Sequence, residues 1–225
     1  MATIYGSKSG YHHGDLRNAL IAAAAELAAE GGPDKVVLRE AARRVGVSPA
    51  AAYRHFQGQG DLLLVVALHC HDRLADAMER AVAASDADAA TAAGDPGERA
   101  ERRVRALGRG YVGFALENPG LYRTAFGVPK VEEVPGEGPV YRSYALLSEA
   151  LDGLVAAGRM AAGDRAGAEV VAWSAVHGLS LLVIDGLSGL SEEEWVPVVE
   201  RTVAVTVAGL AAGRALGSPA DTEGE

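Results

Sequence analysis

One cysteine among 225 residues leaves no partner for an internal disulfide and no set of thiolates for a zinc site. No uninterrupted apolar run approaches the roughly 18 residues that cross a bilayer as a helix. The opening stretch, MATIYGSKSGYHHGDLR, lacks the apolar core of a secretory signal, so a cytoplasmic protein is expected. Catalytic signatures are equally scarce. There is no Glu-x-x-His or His-Glu-x-x-His pair, no Gly-x-Ser-x-Gly elbow and no phosphate-binding loop. Aromatic residues are only 5% of the chain, and positive charge is short, with a formal net charge of −9.

What is present is uneven. Residues 1–60 hold seven Lys/Arg and five Asp/Glu, a balance of +2, whereas residues 61–225 hold fourteen and twenty-five, a balance of −11. A mildly basic head on an acidic body fits a protein that meets nucleic acid with one end only. Hydrophobic residues, 49% of the total, are enough to bury a sizeable core.

The segment Arg39–Phe56, REAARRVGVSPAAAYRHF, reads as two short helices around a tight turn. Gly46 suits the left-handed conformation that closes a helix. Ser48 offers an N-cap oxygen, and Pro49 a first-turn dihedral already in place. A second helix of about two turns then ends in Tyr53, Arg54, His55 and Phe56, with Phe56 and Tyr53 expected in core or hinge packing. Helix, tight turn and a helix with basic and aromatic ends is the layout of a helix-turn-helix DNA reader.

Periodicity predicts an all-α chain around this motif. A first helix is expected over 15–30, ended by Gly31, Gly32 and Pro33. A fourth starts at Asp61 as N-cap and runs to about Ala84, with Leu63, Ala67, Cys70, Leu74, Ala77 and Ala81 in one stripe and Cys70 buried and inert. After a polar break at 85–98, helices are expected at 99–117, 119–127, 140–159, 165–187 and 191–213, with a loop at 127–139. The segments GLSLLVIDG and VPVVERTVAVTV have strand-like composition, but their context favours helix. The expected division is a helix-turn-helix domain at 11–60, a larger helical domain at 61–216 and a disordered tail at 217–225.

Residues 11–68 resemble the N-terminal domain of the tetracycline-repressor (TetR) family: a preceding helix, the G-V-S turn, the Y-x-H-F end and a leucine-rich continuation fall in family order and spacing. WSAVHG at 173–178 resembles the Trp-His-Gly motif of one TetR C-terminal subclass. The resemblance implies a DNA surface of Arg39, Ser48, Pro49, Ala50, Ala51, Tyr53, Arg54 and His55. Arg39 occupies the place of an arginine that reads guanine, although a phosphate clamp or a solvated role is open to it as well. Pro49 and Ala50 lie at base-contact positions but offer only apolar surface, while Tyr53 and His55 match phosphate-binding positions. Two positions depart from the pattern: Val37 stands where a Thr or Ser often caps, and Gln59 replaces a customary Lys. Lys8, His12 and His13 form either a mobile arm on the DNA backbone or a plain tail.

In the C-terminal part, Trp173, His177, Leu181 and Ile184 share one helix face. Val171, Ala175, Gly178, Leu182 and Gly186 form a second stripe of mostly small residues, matched by Thr202, Thr206, Gly209 and Gly213 in the last helix. A helix apolar on two sides must be covered on both. The resemblance implies that one side pairs with a second copy, giving a homodimer through 165–187 and 191–213, and the other encloses a small hydrophobic or aromatic molecule. Pocket candidates are Tyr111, Phe114, Tyr122, Phe126, Tyr144, Trp173, His177 and Asp185; His177 hydrogen-bonds either a ligand or a neighbouring Tyr or carbonyl.

The function expected is a ligand-responsive DNA-binding regulator, a repressor released from a palindromic operator, with no cofactor, no metal and no membrane partner. The alternative is the same dimer with a vestigial pocket. A helical metalloenzyme using His69, His71 and His177 is disfavoured, since residues two apart on a helix point about 200° from each other.

Overall fold

The computed structural model describes residues 13–87, 94–127, 141–186 and 191–212. Among them are nine α-helices, two short 3-10 turns and no strand. The expected arm at Lys8 and His12, the loop at 128–139 and the tail from Gly217 lie outside the described residues.

Helix α1 (His13–Gly31) buries Leu20, Ala24, Leu27 and Ala28 along one face. Its small alanines admit α2 (Leu38–Val45) close alongside, with Val36 fully buried at the joint. Gly46 then takes φ 77° and ψ 27°, a conformation that a β-carbon makes costly, and its N–H returns to the carbonyls of Ala42 and Arg43. Ser48 caps α3 (Pro49–Ala52), its hydroxyl oxygen accepting the Ala51 N–H at 3.3 Å. The second helix is therefore shorter than the expected two turns. Beyond Ala52 the chain tightens, His55 N–H meeting the Ala52 carbonyl at 3.0 Å, and Phe56 swings into the core with 1% of its surface exposed. Tyr53 does not join it; at 49% exposure it faces solvent.

Helix α4 (Gln59–Ala87) begins two residues before Asp61. Asp61 is not its N-cap but sits in the first turn, where its carboxylate accepts the Gln57 N–H at 3.0 Å. Leu62, Val66, Cys70, Leu74 and Met78, four apart, form its buried stripe, displacing the expected Leu63 to a half-buried flank. This one helix packs on α1 and on α5 (Pro96–Glu117), α6 (Pro119–Gly127) and α7 (Arg142–Ala156).

Helix α5 starts three residues before the expected 99, because D-P-G-E is a capping box and not part of a break. Asp95 accepts the Gly97 and Glu98 N–H groups at 2.7 and 3.0 Å, and Glu98 returns a carboxylate to the Asp95 N–H. The remaining helices are α8 (Ala168–Ile184) and α9 (Glu192–Ala211). Helices α7 and α8 are shorter than expected because Gly158, Gly167 and Gly186 adopt positive φ at their ends. Both strand-like segments are helical, apart from Asp185 and Gly186 in the turn that closes α8.

Cys70 is fully buried in the α4 stripe, and burial pushes its thiol up to about 12. The native protein should therefore leave an aromatic disulfide reagent unreacted at pH 8 and release one equivalent only in denaturant; rapid native labelling would contradict the packing of α4.

Candidate nucleic-acid interface and ligand cavity

The helix-turn-helix presents a coherent outer surface. Arg39, Ser48, Pro49, Ala50, Tyr53 and Arg54 are exposed, Ala51 and His55 half-buried, and only Ala52 beneath them is fully enclosed. Ala52, Phe56 and Leu38 thus anchor a frame whose other side is free. Charge on this frame is sorted. Arg44 closes on Glu30 of α1 at 2.6 Å, with Glu26 and Glu40 each at 3.7 Å, and Arg43 takes Glu40 through two contacts of 2.6 and 2.9 Å. Those arginine hydrogen bonds hold the Glu30 and Glu40 carboxyls below their ordinary range. Arg39 and Arg54 have no acidic partner among the described residues. Arg17 lies 5.2 Å over the Phe56 ring, joining α1 to the end of the motif. Val37, the N-cap of α2, makes no side-chain cap and is partly exposed, as a valine must leave it.

In the C-terminal part, four candidate residues form one hydrogen-bonded chain. The indole N–H of Trp173 can only donate, and it reaches Tyr111 Oη at 2.9 Å. Tyr111 and Tyr122 hydroxyls lie 3.2 Å apart, and Tyr122 Oη is 2.6 Å from His177 Nδ1, with Tyr111 Oη at 2.9 Å from the same nitrogen. A consistent proton order runs from Trp173 to Tyr111 to Tyr122 to His177, with a neutral imidazole accepting at Nδ1. Burial supports it: it raises both phenols, Tyr122 to about 12, and lowers the His177 pKa. Of the two partners left open for His177, the structure supplies the tyrosines. Phe126 packs on this group, its ring 4.8 Å from His177 and 4.9 Å from Tyr122.

Beside the chain lies a cavity with about 570 Å³ of empty space, part of it open to solvent. Met78 of α4 and Val104, Leu107 and Tyr111 of α5 form one wall; Ser143, Tyr144 and Leu147 of α7 form another. Ala172, Trp173 and Val176 of α8, with Val203, Thr206 and Val207 of α9, complete it. Three of the eight pocket candidates, Tyr111, Tyr144 and Trp173, line this space. Tyr122, Phe126 and His177 stand behind Tyr111 and Trp173, Phe114 is buried in the core, and Asp185 is exposed beyond the end of α8 in an ion pair with Arg123 at 2.7 Å. Asp185 does not line this cavity: the helix α8 that carries Trp173 and His177 ends before it.

A contact that sequence reasoning missed links the two regions. At Gly120, in the first turn of α6, a β-carbon would fall 2.2 Å from the Ala28 carbonyl oxygen and 2.8 Å from that of Ala29. The last turn of α1 is pressed onto α6, and two residues later α6 carries Tyr122 into the hydrogen-bonded chain. N-P-G reads in sequence as a turn, which hides the close approach.

Two family models match in order along the chain. One, for bacterial regulatory proteins of the tetR family, covers residues 20–66, and the other, for a tetracyclin repressor-like C-terminal domain, covers 104–206. The chain belongs to the TetR family. A structure of a protein of unknown function from Rhodococcus sp. RHA1 is 30% identical, with a TM-score of 0.66 over 92% of this chain and 98% of that one. A protein from Mesorhizobium loti MAFF303099, described as a TetR-family transcriptional regulator, shares the fold at 18% identity and a TM-score of 0.52, over 90% of this chain and 98% of its own. The uncharacterised HTH-type transcriptional regulator YobS of Bacillus subtilis (strain 168) is 29% identical over 106 residues, 47% of this chain and about half, 49%, of its own length.

TetR-family proteins are DNA-binding transcriptional regulators and not enzymes. Among the described residues of this TetR-family chain no three His, Cys, Asp or Glu side chains gather as a metal site, and no helix is long and apolar enough to cross a membrane. His71, one of the three histidines weighed for a metal, is buried and stacked on Tyr141 at 3.8 Å.

The His177 arrangement has a pH signature. Its folded pKa lies below the unfolded value near 6.5, so the unfolded chain takes up the proton first and stability falls as pH drops through that value. Thermal midpoints measured between pH 8 and pH 5 should decline, and the His177→Asn variant, whose amide oxygen still accepts from Tyr122, should decline less. An equal slope in both proteins would mean that His177 is not held neutral.

Proposed function

We propose that this chain is a homodimeric repressor that reads a palindromic operator with the Arg39 and Ser48–His55 surface and leaves it when a small apolar molecule enters the α4/α5/α7/α8/α9 cavity. The observation that carries the DNA half is the sorting of charge. Arg43 and Arg44 are consumed in holding α2 to itself and to α1, while Arg39 and Arg54 have no acidic partner among the described residues and lie on the exposed rim beside Tyr53. Ser48 spends its oxygen on the cap and keeps its O–H for a phosphate; Arg39 offers a planar fork suited to guanine O6 and N7. With few direct donors, part of the discrimination rests on DNA shape.

Dimerisation is supported by the apolar side chains that α8 and α9 leave outside, among them Val170, Val171 and Leu182 on α8, and Val196 and Val205 on α9. Covering that face with its own copy sets two reading surfaces about a two-fold axis, which is the symmetry of a palindrome. The ligand half is supported by the cavity and by the route away from it. Trp173 and Tyr111 border the empty space, Tyr122 answers them from α6, and α6 bears on the end of α1 through Gly120. A ligand that prefers a shifted α6 would then tilt α1 and the motif attached to it.

The operator is first obtained by selecting bound fragments from genomic DNA. On that sequence Arg39→Ala should cost about 1–3 kcal/mol in fluorescence anisotropy titrations and relax preference at one base pair, whereas Arg43→Ala changes affinity little. If Arg39→Ala weakens specific and random duplexes alike, Arg39 reads no base. Gly120→Ala should keep helix content by circular dichroism yet bind the operator at least about tenfold more weakly, since a shift of α6 against α1 misplaces the motif. Wild-type affinity in that variant would remove α6 from the route.

A further inference from the structure

The cavity's polar inventory narrows what can occupy it, and the inference rests on the reading above that this space is the effector site. Among the described residues no Lys, Arg, Asp, Glu or His lines it. Three of its polar side chains are already committed within the protein: Trp173 donates to Tyr111, Tyr111 is shared with Tyr122 and His177, and Thr206 donates to the Thr202 carbonyl at 2.8 Å. Two are not. Ser143 is 9% exposed and its hydroxyl has no hydrogen-bond partner among the described residues; the neighbouring Tyr144 hydroxyl has none either. Both belong to the first turn of α7, so the unspent hydrogen-bonding capacity sits together on one wall of an otherwise apolar space.

We infer that the effector is an uncharged, largely apolar molecule carrying one carbonyl or hydroxyl group, and that this group docks on Ser143 Oγ and Tyr144 Oη. Neither hydroxyl is among the sealed, unpartnered polar atoms of the described residues, so both open onto the cavity, where a ligand carbonyl or hydroxyl replaces solvent as their partner. An ion entering the same space loses its water and meets no counter-charge, so anions and cations of equal shape are rejected. Ser143 and Tyr144 thereby set specificity, while Trp173, Leu107 and Val176 supply shape.

Three isosteric probes test this by displacement of the neutral fluorophore N-phenylnaphthylamine from the full-length protein: methyl naphthyl ketone, isopropylnaphthalene and naphthoate. The ketone should compete about fivefold better than the hydrocarbon, the worth of a hydrogen bond near 1 kcal/mol, and at least about tenfold better than the carboxylate. The preference for ketone over hydrocarbon should vanish in Ser143→Ala/Tyr144→Phe, which removes two oxygens and leaves the packing. Naphthoate matching the ketone, or a ketone preference that survives the double variant, overturns the ligand class while leaving the cavity as the site. A filled cavity separates the two: fluorophore binding should be lost in Val176→Trp or Leu147→Trp, with folding verified by circular dichroism. Binding undiminished in both folded variants, or absent in the wild type, removes the cavity as the effector site and this inference with it.

Discussion

The contact at Gly120 is the constraint on which the relation between the two halves depends. A carbonyl pair at the end of one helix fills the space where every other residue has a side chain, so α1 and α6 are fixed at a separation that only glycine permits. Packed groups of this kind do not deform continuously; they hold or they shift. On one side the contact governs α1, against which α2 is stapled by the Arg44–Glu30 pair. On the other it governs Tyr122, whose hydroxyl is tied to Tyr111 and His177. The long helix α4 runs beside both and shares a continuous buried stripe with each, which makes the reading motif and the cavity parts of one packed body.

On the proposed reading, electrostatics explains how an acidic chain can present a nucleic-acid surface. A balance of −11 over residues 61–225 repels a duplex at long range, but salt screens charges beyond roughly 10 Å. What decides affinity is the few groups at the docked rim. There the internal acids Glu26, Glu30 and Glu40 are directed at Arg43 and Arg44, so they add rigidity to the motif while their own charge is matched. Arg39 and Arg54 are left to act outward.

Much of this was legible in the chain itself, for identifiable reasons. Gly46, Ser48 and Pro49 act through local backbone rules, and their roles in the turn came out as those rules state. Apolar periodicity marked the C-terminal helices, except that α8 is apolar on two sides and the strand-like segments of α8 and α9 read as helix from their place in a helical chain. What failed was also local in origin. The D-P-G-E capping box looked like a linker because its residues are those of turns, and Asp61 looked like a cap because its backbone N–H partner, on Gln57, belongs to a turn that the sequence does not announce. For Tyr53 residue type suggests core or hinge packing while the family resemblance suggests a phosphate contact; its side chain is exposed just beyond the short α3. Pocket reasoning favoured aromatics, so it found Tyr111, Tyr144 and Trp173 but passed over Leu107, Val176, Val203 and Ser143, which are ordinary core residues until five helices leave a gap among them. Gly120 was illegible for the same reason: its meaning lies in what it touches.

The most direct measurement of the link between cavity and motif is amide hydrogen exchange on the wild-type protein with and without N-phenylnaphthylamine. The amides of the last turn of α1, including Gly32, whose N–H closes on the Ala28 carbonyl at 2.7 Å, and those of α6 should change their exchange rates on binding together with the cavity walls. A response confined to α5, α7, α8 and α9, with α1 and α6 exchanging as in the free protein, would contradict the coupling.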